Sequence, residues 1–120
     1  MIRRNDEMEV EVREKMRGGN GKTEITHLFK SAEFAAPVRL CAKMVLKAGS
    51  SVGLHEHATE DEVYAIVSGE GYLDEGNGFM RVASGDAILT GRGAKHSIEN
   101  RGPDDLVLFA FIATYPESVK

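Results

Sequence analysis

From residue 38 onward the chain is cut into short runs by glycine-bearing turns, and this punctuation constrains the fold more than anything else in it. In VRLCAKMVLK, Val38, Leu40, Ala42, Met44 and Leu46 alternate with Arg39, Lys43 and Lys47. That is the period of two of a strand with one buried face. EVYAIVSG and GYLDEGNGFMRV follow, the second holding EGNG as a hairpin turn. Three more runs, AILTG, HSIEN and LVLFAFIAT, are separated by SGD, GRGA and RGPDD. Short strands with turn signals roughly every 8–12 residues predict an all-β sandwich or barrel. The 120 residues are enough for one domain and one core. Helix signals are thin, and SAEFA (31–35) makes one turn at most.

The first 35 residues read differently, as an N-terminal extension to a barrel over residues 36–115. MEVEVRE alternates Met8, Val10 and Val12 with charges, so it can supply an edge strand that pairs with a partner's sheet. MRGGNGKT ends in Gly-Lys-Thr as phosphate-binding loops do, but Met16 stands where the pattern needs a glycine. It is read instead as a mobile glycine loop. The basic start has no apolar stretch behind it, so no signal peptide is expected, and no run reaches the roughly 20 apolar residues of a membrane span. A net charge of −4 gives no reason to expect nucleic acid or an acidic membrane as partner. The single cysteine, Cys41, excludes an intrachain disulfide and a thiolate metal cluster, and fits a cytoplasmic location. On an alternating strand, Cys41 is most simply a small core residue.

The octapeptide HEHATEDE, residues 55–62, carries the chemistry. His55 and His57 on a strand point to one face, about 6.6–7 Å apart along the chain. Imidazoles so placed can converge on one ion. The turn ATED folds the next run back beside them and brings a carboxylate within reach, while His96 opens HSIEN downstream. A closed barrel gathers such side chains from several strands into its interior. His27 lies outside this pattern and is read as a surface or loop residue.

The spacing resembles the two signature motifs of the cupin superfamily. The first runs Gly49, five residues, His55, one, His57, four, Glu62, six, Gly69. The second runs Gly85, five, Gly91, one, Gly93, two, His96, three, Asn100, with 15 residues between the motifs, as in compact single-domain cupins. Gly91 departs from the family's proline, which shapes a turn and binds nothing. The resemblance implies a double-stranded β-helix, or jelly-roll barrel. It makes His55, His57, Glu62 and His96 the ligands of one divalent transition metal per chain. Imidazole and carboxylate without thiolate suit manganese, iron, nickel, cobalt or zinc.

The reaction is less constrained, because one fold hosts many functions. The resemblance implies an enzyme acting on a small oxygenated anion or carbonyl compound, of dioxygenase, decarboxylase or isomerase type. The alternative is a non-catalytic protein that binds a small oxalate- or sugar-like ligand. Tyr64, on the same strand face as Glu62, is the candidate catalytic residue; Arg39 and Lys43 are further polar candidates, although strand phase alone does not say which face is inside. Glu56, Glu60 and Asp61 are expected to face solvent around the turn, and Asn100 to brace its loop. Small cupins usually dimerise, so a homodimer is expected, with a small molecule as the other partner.

Overall fold

The period of two read between residues 38 and 47 is the pleat of a nine-residue strand, Val38–Leu46. Residues 1–116 are described by a computed structural model. Their ten strands are β1 (Glu9–Glu14), β2 (Lys22–His27), β3 (Val38–Leu46), β4 (Ser51–Glu56), β5 (Glu60–Ser68), β6 (Glu70–Asp74), β7 (Phe79–Ala83), β8 (Ala87–Thr90), β9 (Lys95–Glu99) and β10 (Leu106–Thr114). Residues 31–33, inside SAEFA, form a single 3-10 turn. No helix among the described residues is long and apolar enough to cross a membrane.

All pairings are antiparallel, in a six-stranded sheet ordered β1-β2-β3-β10-β5-β8 and a four-stranded sheet ordered β4-β9-β6-β7. The late strands β10 and β9 insert between early ones, which rolls the chain into a jelly-roll barrel. The fold is all-β. The hairpin at EGNG is closed by Asp74, whose Oδ1 accepts from the backbone N–H of Gly76 at 2.8 Å and Gly78 at 3.1 Å.

Strand phase, which the sequence left open for β3, is settled by the core. Ala42, Met44 and Leu46 are buried against Ile66, Leu106, Leu108 and Ala110 of the same sheet and Val52, Leu73 and Ile98 of the other. Lys43 therefore lies on the opposite face. So does Cys41, half-buried rather than part of the core, with burial raising its thiol pKa. On β5 the inward residues are Glu62, Tyr64 and Ile66, so one strand face passes from polar to apolar along its length.

The N-terminal residues extend the larger sheet: β2 pairs with β3 and sends Ile25 into the core, while β1 is the sheet's edge. Glycines 18, 19 and 21, expected in a mobile loop, sit instead in a segment packed on β4. Asn20 donates its N–H to Ser51 Oγ at 2.8 Å and accepts from Ser51 N–H at 2.8 Å, and Lys22 N–H donates to Ser50 Oγ at 2.9 Å. Contact is so close that a Cβ at Gly19 would collide with the Ser51 backbone, and one at Gly53 with the Arg17 carbonyl. Two non-glycine residues, Lys15 and Arg17, adopt left-handed φ of 51° and 54° to make this turn. Such conformations cost of order 1 kcal/mol or more and persist where surroundings over-determine them. Substituting Gly53→Ala should lower stability by about 1–3 kcal/mol, as overpacking does, read by urea unfolding; an unchanged midpoint would show that the loop yields freely.

Candidate metal centre

β4 is not a regular strand, and its irregularity aims the histidines. Val52 faces Ile98 and His55 faces His96, so Gly53 and Leu54 together oppose the single residue Ser97. Such a bulge shifts the alternation by one residue. Val52 is buried on one side of it, Leu54 is left exposed, and His55 points inward on the other. His57 follows the end of β4, its backbone bonded to the turn before β9: its N–H donates to Ala94 O at 3.0 Å and its carbonyl accepts from Gly93 N–H at 2.9 Å. Glu62 arrives from β5 in the other sheet.

One ligand atom from each of His55, His57, Glu62 and His96 lies within 4.8 Å of all the others. His96 Nε2 is 3.0 Å from His57 Nε2 and 3.2 Å from His55 Nε2. Glu62 Oε1 is 2.9 Å from both His57 Nε2 and His96 Nε2. His57, Glu62 and His96 are buried, and His55 is half-buried.

The outer ring nitrogens decide what faces inward. His55 Nδ1 sits 2.7 Å from the Gly53 carbonyl, which can only accept, so Nδ1 carries the proton. His57 Nδ1 donates to Glu60 Oε2 at 2.5 Å. Arg39 grips that same carboxylate with two bonds of 2.8 Å, and this guanidinium, ahead of the opposing effect of burial, holds the Glu60 pKa down to about 2. His96 Nδ1 lies 2.8 Å from Thr90 Oγ1, a hydroxyl able to accept from the ring N–H. A neutral imidazole has one N–H. With each spent outward, three Nε2 lone pairs converge on Glu62 Oε1, a buried oxygen with no hydrogen-bond partner. Burial lowers the His55 pKa, against the raising effect of the Gly53 bond, and so keeps that ring neutral. Three ring nitrogens and a carboxylate oxygen around one point are the arrangement a cation satisfies, and the set could hold a metal ion.

Tyr64 stacks on His96, with centroids 4.8 Å apart and planes inclined 16°. Its phenol is buried beside Glu62; burial first, and then that negative charge, raise its pKa well above the ordinary tyrosine value. A cavity of about 60 Å³ opens on the cluster, lined also by the apolar Met44, Ile112 and Leu40 and by Arg13, Arg17 and Arg39. Lys43 does not reach it. His27 is outside the cluster and bonds Glu11 at 2.8 Å. Glu56 is exposed, and Asp61 bonds the Tyr115 hydroxyl. Neither Glu60 nor Asp61 faces solvent freely as expected: both are half-buried, and Glu60, its side chain only 13% exposed, orients His57. Asn100 is buried, and its amide donates to the carbonyls of Leu46 and Asp104. Sequence reading gave no site role to Thr90, Glu60 or Arg17: Thr90 stands in no distinctive pattern, Glu60 is one of several acids in HEHATEDE, and Arg17 lies in the glycine-rich segment read as a loop.

Two antiparallel sheets closed around a three-imidazole, one-carboxylate cluster define a small jelly-roll barrel with its polar site inside. The chain belongs to the cupin family: the cupin domain model matches residues 42–112. An oxalate-binding protein of Thermotoga maritima is 41% identical over 112 residues, 93% of each chain. The crystal structure of a predicted oxalate decarboxylase from Thermotoga maritima superposes with a TM-score of 0.90 at 40% identity, covering 95% of this chain and 99% of that one. KdgF from a Halomonas species, at 18% identity and a TM-score of 0.71 over 97% of this chain and 96% of its own, shares the fold.

An unpartnered buried polar atom costs about 1–3 kcal/mol. In chelator, Glu62→Gln should therefore raise the thermal midpoint above wild type, because its amide can donate to a histidine lone pair. It should also remove the further rise that a divalent metal gives the wild type. A lower midpoint in chelator would count against converging lone pairs.

Proposed function

We propose that His55, His57, Glu62 and His96 hold one divalent transition metal, manganese, iron, nickel, cobalt or zinc, and that the site binds a small carboxylate of oxalate size. The observation that carries this is Glu62 Oε1, buried and unpartnered among three imidazole lone pairs. Bound there, the metal would supply positive charge and Lewis acidity toward a ligand oxygen. The chain's own residues do the rest. Gly53, Glu60 and Thr90 fix the three rings, and Met44, Ile112 and Leu40 limit water at the cavity wall. The volume of about 60 Å³ is well under the ~150 Å³ that accommodates benzene. A ligand of a few heavy atoms fits that size, and the oxalate-binding relative supports the same class.

Holding the ligand is the reading best supported, ahead of turnover. Glu60 is committed to Arg39 and His57, and both histidines that line the cavity, His55 and His57, belong to the cluster. That leaves no free carboxylate or imidazole at the cavity among the described residues to move a proton. One observation favours the second reading, decarboxylation or oxidation of the carboxylate: the neutral Tyr64 hydroxyl beside Glu62 is a proton-bearing group within the site. The test is elemental analysis of the purified protein beside the triple variant His55→Ala, His57→Ala, His96→Ala, followed by oxalate titration. Near-stoichiometric metal should fall below roughly a tenth of an equivalent in the variant, as loss of three ligands demands. Equal metal in both would defeat the assignment. Oxalate bound and recovered intact would establish binding, and its consumption, lost in Tyr64→Phe, would establish turnover with Tyr64 as a catalytic residue.

We further propose a cytoplasmic homodimer formed through β1. That strand ends the larger sheet, and its Val10 and Val12 are 55% and 56% exposed, apolar side chains on an edge that could pair with another chain. Light scattering at micromolar concentration should give twice the chain mass of 13.1 kDa. A monomeric mass would overturn it.

A further inference from the structure

Arg17 differs from the other two arginines at the cavity. Arg39 is neutralised by its two bonds to Glu60, and Arg13 pairs with Glu11 at 3.2 Å. Arg17 lines the same cavity as His55, His57, Glu62 and Tyr64 and has no ion pair or side-chain hydrogen bond among the described residues. Its backbone is held in place: φ is 54° and ψ 31°, Gly18 N–H donates to Lys15 O at 3.0 Å, and Gly19 N–H donates to Met16 O at 2.9 Å. Gly53 leaves the Arg17 carbonyl just enough room against β4. A non-glycine residue kept in a left-handed conformation by its surroundings is a recurrent feature of ligand clamps. Here the clamp would present a planar fork of donors, a geometry that matches a carboxylate bidentately.

Formal charge says which carboxylates the site suits. A divalent ion with Glu62 leaves one net positive charge, enough to balance a monoanion. The Glu60–Arg39 and Glu11–Arg13 pairs add nothing. Arg17 supplies a second positive charge, and with it the cavity balances a dianion. Resting on the metal–carboxylate reading above, we propose that Arg17 is the specificity-determining residue that receives the second carboxylate of a short dicarboxylate and selects it over monocarboxylates of equal length.

The experiment uses the full chain loaded with cobalt(II), whose visible absorption reports the ligand set, and measures dissociation constants for oxalate and for glycolate at neutral pH. Arg17→Met should weaken oxalate by about ten- to a hundredfold, the usual size of a charge-assisted contact. Glycolate affinity should stay within about threefold, and the cobalt spectrum and thermal midpoint should be unchanged. Arg17→Lys should recover part of the loss, because it restores charge without the fork. Unchanged oxalate affinity in Arg17→Met, or an equal loss for both acids, would overturn the role of Arg17 while leaving the metal–carboxylate reading intact. A wild type that takes up no cobalt, or takes it up and binds neither acid, would overturn that reading and this one together.

Discussion

Four lone-pair-bearing atoms pointing at one another is an arrangement a folded chain reaches only if everything around them is fixed. For each imidazole to place an N–H outward, three acceptors must stand at defined positions: the Gly53 carbonyl, the Glu60 carboxylate and the Thr90 hydroxyl. Glu60 is itself partly buried, and it stays an acceptor because Arg39 on β3 neutralises it. The cluster's requirements thus reach from β4 through β5 and β8 to β3, across both sheets. If one acceptor is lost, a ring can flip its tautomer and put a proton where a lone pair belongs.

The barrel is divided lengthwise to accommodate this. Ile66, Leu106, Leu108, Leu73 and Ile98 close one part with apolar contacts, each worth about 1.5–3 kcal/mol when fully buried. The other part carries the buried polar groups, which are costly unless paired. Tyr64 joins the two regimes: its ring packs in the hydrophobic cluster and stacks on His96, while its hydroxyl lies beside Glu62. The inward face of β5 therefore reads Glu62, Tyr64, Ile66, a gradient from polar cluster to core along a single strand.

Much of this was legible in the sequence, because period-two alternation and motif spacing are local properties. The alternation from Val38 to Leu46 and the turn at EGNG are strand and hairpin as written, and His55, His57, Glu62 and His96 do converge. What was illegible depends on contacts between distant segments. Glu56, Glu60 and Asp61 are indistinguishable acids in one turn, and only the arrival of Arg39 from β3 selects Glu60. The phase of β3 was ambiguous because both its faces carry apolar residues, and packing turned Cys41 away from the core. The glycine-rich segment around Arg17 looked mobile because nothing in it shows that Ser50 and Ser51, some thirty positions on, bind its backbone.

Gly53 links the two halves of the site. Its carbonyl fixes the His55 ring, its place in the bulge turns His55 inward, and its missing side chain lets the Arg17 carbonyl lie against β4. A Cβ there would collide with the Arg17 carbonyl from the same residue whose own carbonyl oxygen holds the His55 ring. An N-terminal hairpin that sequence reading set outside the barrel thereby forms part of the wall of its cavity, with Arg13, Met16, Arg17 and Ile25 all facing it.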